Sequence, residues 1–251
     1  MSTTPLRALT RANTRELLRD RTTLFGALLM PVGFIAMSVM LVALIPTAPG
    51  IDAAEMFLPF GLTMTLGAVI FFGTVSPIVD LRRRGTLRLL GTTPLPRWTF
   101  LLALVPFRAL LIVVALVAVV AAAAVFDSWA PSQLPALVVT TVLGSALMLA
   151  IGFLLGAFLN STETASTTLT VVLLAFVFAG GGVLPFELFP DRVGAVLEWL
   201  PPALFTDALA NGLTGGNTTH PVWLAWIVLA GATLVVGAAA LRLFRFDRSP
   251  S

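Results

Sequence analysis

The chain has no lysine and no cysteine, and its 251 residues include a single histidine, His220. Each gap excludes a kind of chemistry. Without lysine there is no G-x-x-x-x-G-K-[ST] loop, so a P-loop cannot hydrolyse nucleotide within this chain. Without cysteine there are no disulfides, thiolate metal sites or thiol nucleophiles. One histidine cannot make an H-E-x-x-H metal motif, and His220 reads as a polar residue at a helix entry beside Pro221. Ser38, Ser76 and Ser145 lie in or beside apolar runs, where the usual basic partners of a nucleophilic serine are missing. The expectation is therefore no catalytic residue and no metal site, and nothing points to nucleic acid. Charge is scarce as well: 11% of residues are charged and 58% are hydrophobic, with a mean hydropathy of +1.00. A water-soluble domain this short cannot hide that much apolar surface, so lipid must serve as part of its solvent.

About twenty residues span a hydrocarbon core of ~30 Å. Six runs are long enough: Leu24–Ile45, Met56–Val79, Phe100–Phe126, Leu134–Leu159, Thr167–Pro185 and Val222–Leu241. Helices are the expected form, because each span must satisfy its own backbone hydrogen bonds. Alternating ten-residue barrel strands are absent. Pro31, Pro59 and Pro106 fall inside these runs and predict kinks or local breaks.

The arginines set an orientation. Arg7, Arg11, Arg15, Arg19 and Arg21 precede the first span, Arg82, Arg83, Arg84, Arg88 and Arg97 separate the second from the third, and Arg242, Arg245 and Arg248 follow the last. The segments Pro46–Glu55 and Asp127–Gln133 carry acidic residues and no arginine. Positive residues stay on the cytoplasmic side, so both termini are expected in the cytoplasm. Six spans satisfy that parity, and Asn160–Ser166 agrees by parity alone.

Three segments between or before the spans stand out. The first is the N-terminus, polar and arginine-rich with no small-residue cleavage site after it, unlike a cleavable signal peptide. On a helical wheel Arg7, Arg11, Arg15 and Arg19 make a four-residue-spaced stripe, broken by Leu18, opposite Leu6, Leu9, Asn13 and Leu17, as in an amphipathic helix lying on the inner leaflet; a tail that only sets topology is the alternative. The second is the loop 80–98. Gly85-Thr86 can open a short helix, Leu87 and Leu90 share a face, and Gly91 with Pro94 ends it; this form suits docking in a groove of a soluble partner, while composition alone reads equally as a topogenic basic loop. The third follows the fifth span, where Gly180 to Gly182, Pro185, Pro190, Pro201 and Pro202 cut the chain into two short helical pieces, Val193–Leu200 and Ala203–Leu213. Neither is long enough to cross, so both read as re-entrant or interfacial helices on the outer side; a plain extracellular loop is the alternative, with the segment's apolar content against it. Within the spans Arg108 is the exceptional charge. Snorkelling to the interface or a structural pair and contact with lipid or substrate are the alternatives for it.

These residues, in this order, resemble the permease subunit of ABC-2 type exporters, including the daunorubicin-resistance type. The likeness runs through Glu16-Leu-Leu-Arg-Asp20 into a first span with Pro31, then Arg84-Gly-Thr-Leu87 with Thr93-Pro94 and Arg97. It continues through Gly182-Val-Leu-Pro-Phe-Glu-Leu-Phe-Pro190, Glu198-Trp-Leu-Pro201 and Asp207-Ala-Leu209, across six spans. The family often has an acidic residue ahead of Gly-Thr-Leu, Gly-Lys at the place of Ala103-Leu104, and a basic residue near Ala210-Asn211; this chain has none of these. The resemblance implies an all-α membrane fold of six transmembrane helices. It assigns 1–23 to an amphipathic entry helix, with Arg11, Arg15 and Arg19 near the ATPase interface. It assigns 24–245 to the transmembrane domain and 246–251 to a short cytoplasmic tail. Within the domain, loop 80–98 would couple to the ATPase through Arg84, Gly85, Thr86, Leu87, Leu90, Thr93, Pro94 and Arg97. The outer helices, 186–215, with Gly182, Pro185, Glu187, Pro190, Trp199, Pro201 and Asp207 in or beside them, would cap the exit.

The implied partners are ABC ATPase subunits carrying ATP and magnesium, a second permease in a homodimer or heterodimer, the bilayer of a bacterial plasma membrane, and a hydrophobic small-molecule cargo. The implied activity is efflux of a drug, antibiotic or lipid-like molecule, with a role in antibiotic resistance. Two other readings compete. A membrane anchor or signalling component shares the same topology, and an intramembrane lipid-modifying enzyme lacks the base, metal ligands or paired carboxylates it would require.

Overall fold

Inside a bilayer an amide without a protein partner has no water to turn to, so a spanning segment closes its hydrogen bonds along its own axis. The computed structural model describes residues 21–45, 53–85, 105–129, 131–181 and 190–243, excepting the side chains of 21–28 and 191, and every regular element among them is helical. The elements are α1 (Arg21–Leu44), α2 (Ala53–Arg83), α3 (Val105–Val125), α4 (Leu134–Phe158), α5 (Thr162–Ala179), α6 (Asp191–Leu197), α7 (Pro201–Thr214) and α8 (Val222–Leu243). Helices α2, α3, α4 with its lead-in turn, α5 and α8 are long and apolar enough to cross a membrane, and α1 adds the apolar stretch Leu29–Leu44. The protein is an all-α membrane protein. The entry helix with Arg11, Arg15 and Arg19 lies outside the described residues, as does most of loop 80–98.

Two helices form the middle. Along α2, Leu58 to Phe71 are buried without interruption, the pattern of a helix enclosed on all sides. Helices α1, α3 and α5 surround it. The antiparallel register of α1 on α2 is fixed by Thr65 Oγ1 donating to the Pro31 carbonyl at 3.3 Å and by Gly61 lying against Ser38. Helix α4 is the second post, packed against α2, α7 and α8. It runs parallel to α8: Trp226 Nε1 donates to Thr140 Oγ1 at 2.9 Å, and eleven residues on, Gly237 faces Ala150.

The prolines do not break the spans. Pro31 and Pro59 lie inside continuous helix. Pro106 is the second residue of α3, where its missing N–H would have had no intrahelical partner anyway. The irregularity falls elsewhere, in a π turn at Ala68–Phe72 within α2.

Helix α7 does not cross; it is tucked between α2 and α4 with Ala203, Leu204, Phe205, Ala208, Leu209, Gly212 and Leu213 buried. Small residues on both sides permit this. Gly144 of α4 is covered by the ring of Phe205, and a Cβ on Gly212 would stand 2.9 Å from the Cα of Leu137. An edge-to-face ladder then joins three helices: Phe205 to Phe176 of α5 at 6.2 Å, and Phe176 to Phe71 of the π turn at 6.5 Å. Helix α6 starts at Asp191 and α7 at Pro201, two residues ahead of each expected start. Phe205→Ala should empty this junction. Its expected cost is about 3–5 kcal/mol, read as a lower unfolding midpoint of the detergent-solubilised protein with membrane insertion unchanged.

Candidate functional site

Three groups of polar residues stand out, at the two ends of the bundle and between them. At one end, α2 runs into three arginines. Arg82 Nη1 donates to the Leu159 carbonyl at 2.6 Å and to Asn160 Oδ1 at 3.1 Å, and its Nη2 donates to the Gly156 carbonyl at 3.0 Å. The last carbonyls of a helix lack intrahelical donors and carry the negative end of its dipole. The Arg82 fork therefore closes the C-terminus of α4. Arg83 Nη1 reaches Thr162 Oγ1, at the start of α5, at 2.8 Å. This basic end gathers the C-termini of α2 and α4 with the N-terminus of α5, in line with the parity read for Asn160–Ser166.

Helix α2 ends directly beyond that clamp. Arg84 is exposed, and Gly85 takes a left-handed φ of 72° with its N–H on the Arg82 carbonyl. Only glycine adopts that conformation readily, so it ends α2 cleanly. Thr86, Leu87, Leu90, Thr93, Pro94 and Arg97 lie outside the described residues.

In the middle, Arg108 is 1% exposed. Its guanidinium is enclosed by protein, and Nη2 donates to the Gly73 carbonyl of α2. That carbonyl is the one Pro77 would have served, four residues on, had it an N–H. A proline in α2 thus exposes an acceptor directly after the π turn, and α3 supplies the donor. Gly73 leaves room for the approach, since a Cβ there would lie 3.8 Å from Arg108 Nε.

At the opposite end, α6, α7 and the turn before α8 form a cap. Pro190 precedes α6, and Pro201 and Pro202 occupy the first turn of α7, where missing N–H groups do no harm. Asn211 Nδ2 donates to the Gly216 carbonyl at 2.6 Å, and the Thr219 N–H donates to Asp207 Oδ2 at 3.1 Å. Trp199 lies against the ring of His220 with centroids 4.4 Å apart. Asp207 lies outside the spanning helices, and burial raises its carboxyl above the usual carboxylate range. The Thr219 and His220 N–H groups and the nearby His220 side chain pull it down, and Glu198 pushes it up. Gly182, Pro185 and Glu187 lie outside the described residues.

Residues 44–242 match the family model of the ABC-2 family transporter proteins. The chain belongs to that family. A curated protein of Bacillus subtilis (strain 168), "Putative transport permease YvfS", is 24% identical over 222 residues, covering 87% of this chain and 88% of that protein. The chain is thus a transport permease subunit and a multi-pass membrane protein.

For this ABC-2 permease, sequence reasoning treated Arg82 and Arg83 as topology signals and His220 as a polar residue at a helix entry, and so missed the clamp and the contact of His220 with Trp199. Two signals were available. Gly152-x-x-x-Gly156 is the small-residue spacing that lets membrane helices approach closely; a Cβ on Gly152 would stand 3.6 Å from Thr74 Cβ, and one on Gly156 would stand 3.0 Å from Ile78 Cδ1. Pro77 likewise announces an unserved carbonyl at Gly73.

Two predictions follow from these contacts. In a double-mutant cycle, Pro77→Ala restores an N–H for the Gly73 carbonyl and should soften the effect of Arg108→Met. The expected coupling is about 0.5–3 kcal/mol, read from unfolding of the four proteins in detergent; strict additivity would contradict the pairing. For Asp207, a folded-state value above the unfolded one means that ionisation opposes folding. Stability should therefore rise as pH falls through the raised folded value, down to the ordinary carboxylate value. That rise should be smaller in Asp207→Asn, measured as the difference in unfolding midpoint between the two proteins across pH.

Proposed function

We propose that this permease is the membrane subunit of an exporter driven by ATP and magnesium on separate ABC ATPase chains. The observation that carries the proposal is the course of α2, which is enclosed through the middle of the bundle and ends at the exposed Arg84 and the left-handed Gly85, at the start of the basic segment 80–98. A push on that loop acts on the centre of the fold rather than its rim. Thr86, Leu87, Leu90, Thr93, Pro94 and Arg97 would then form the docking helix, with the entry helix and its Arg11, Arg15 and Arg19 beside it. A chain without lysine needs an outside source of energy, since it cannot build a P-loop.

In this reading the basic end and both termini face the cytoplasm of a bacterial cell, as the positive-inside rule directs. The cap of α6 and α7 then faces outward, over an exit route between two permeases, identical or paired with a second kind. The spans offer apolar walls with little charge, which suits an amphipathic drug, antibiotic or lipid-like cargo better than a small ion; efflux and self-resistance are the corresponding roles.

The test is affinity purification of the tagged chain from membranes with its ATPase. The wild type should bring down a P-loop ATPase whose hydrolysis rises with hydrophobic compounds. Leu87→Asp with Leu90→Asp should lose the ATPase and still insert, because the change falls on the docking face. An ATPase retained by that variant would overturn the docking assignment.

A further inference from the structure

The clamp at the basic end does more than close a helix terminus. The inner part of α2, Gly73–Arg83, is fastened to α4 at three successive levels. Thr74 packs on Gly152 and Ile78 on Gly156. Arg82 then takes the Gly156 and Leu159 carbonyls and the Asn160 side chain. Directly beyond this fastened segment α2 changes to the π turn Ala68–Phe72, whose hydrogen-bond pattern is a local departure from the helix and is frequently found at functional sites. Helix α4 has no such break from Leu134 to Phe158. At its far end it carries α7 directly, through Gly144 under Phe205 and Leu137 against Gly212.

Two routes therefore lead from the loop after Arg84 to the cap. One climbs α2 and meets the π turn, where a swing of the lower segment can be absorbed. The other crosses at Arg82 into α4, an unbroken rod of 25 residues, and arrives at α7. Helix stiffness favours the second. We propose that Arg82 is a positioning residue that transfers movement of the ATPase-docked loop into α4 and through it to the α7 cap, with Ala68–Phe72 as the joint that lets the lower part of α2 move with α4. Arg83, bonded to Thr162, adds the start of α5 to the moving group.

Charge and geometry both bear on the role of Arg82. Its two donor nitrogens hold two helix-terminal carbonyls at once, which a planar fork does and a point charge does not. Hydrogen bonds from a charged donor are also among the stronger ones. Glutamine at 82 leaves those carbonyls without a charged partner and separates the loop from α4. Lysine keeps the charge at the helix C-terminus but not the fork.

The inference rests on the proposed ATPase-driven function, and the experiment separates the two. The permease–ATPase complex is reconstituted in lipid nanodiscs with spin labels on Val196→Cys of α6 and Ile227→Cys of α8, both exposed positions in a chain free of native cysteine. The label distance is measured without nucleotide and with ATP plus vanadate. The wild type should show a shift. Arg82→Gln should lose the shift while the ATPase still co-purifies and hydrolyses ATP, Arg82→Lys should recover part of it, and Arg242→Gln, an exposed cation at the end of α8, should keep it in full. If Arg82→Gln does not assemble, Asn160→Ala, which removes one of the three bonds, should reduce the shift. A full shift in Arg82→Gln or, failing its assembly, in Asn160→Ala overturns the transfer role, as does a wild-type complex that hydrolyses ATP with no shift at all. A wild-type chain that brings down no ATPase overturns the proposed function instead.

Discussion

Helix α2 is enclosed by protein on every side for most of its length, and that enclosure governs the rest of the bundle. A polar group on such a helix can reach neither water nor lipid headgroups, so each departure from ideal helix needs a partner from a neighbour. Pro77 creates one such need at the Gly73 carbonyl, and Arg108 of α3 answers it. The otherwise puzzling cost of a cation within a span is then set against a satisfied acceptor rather than against open hydrocarbon. Lining up α3 so that Arg108 meets Gly73 also fixes how that helix lies along α2.

The same logic extends to α4. Its basic end carries carbonyls without donors, and Arg82 provides them. Its flank is notched by Gly152 and Gly156 to accept Thr74 and Ile78, and by Gly144 to accept Phe205. Contacts between membrane helices gain little from the hydrophobic effect, since lipid tails are as apolar as leucine. Close approach and satisfied polar groups have to supply the specificity, and α2 and α4 use both at neighbouring levels. The outcome is a central pair with a fastened basic end and a short helix, α7, seated at the opposite end. For a permease this is a useful division, because the proposed docking loop at one end and the cap at the other would be joined through the same two helices.

Much of the fold was legible in the sequence. Long apolar runs with few charges mark the spans, and the arginines after the second run fall where α2 meets the ends of α4 and α5. The prolines and glycines after the fifth span point to short helices that do not cross, and α6 and α7 fall there with boundaries shifted by a few residues. What sequence could not give was pairing. Pro31, Pro59 and Pro106 look like breaks, yet a proline at a helix start or beside a well-packed neighbour leaves the helix continuous. The π turn carries no comparable signal, since Ala68-Val-Ile-Phe-Phe72 reads as ordinary apolar helix. Arg82 and His220 were legible as residue types but not as partners of Leu159 and Trp199, which lie 77 and 21 positions away in the chain.

The central claim is that this permease works as part of an assembly whose energy comes from another chain. Native mass spectrometry of the complex released from membranes in mild detergent tests it most directly. The account predicts a particle containing two permease subunits, each 26.5 kDa if identical, and two ATPase subunits that separate from them on activation. A chain that leaves the membrane as a lone 26.5 kDa species, under conditions that keep other membrane complexes intact, would contradict it.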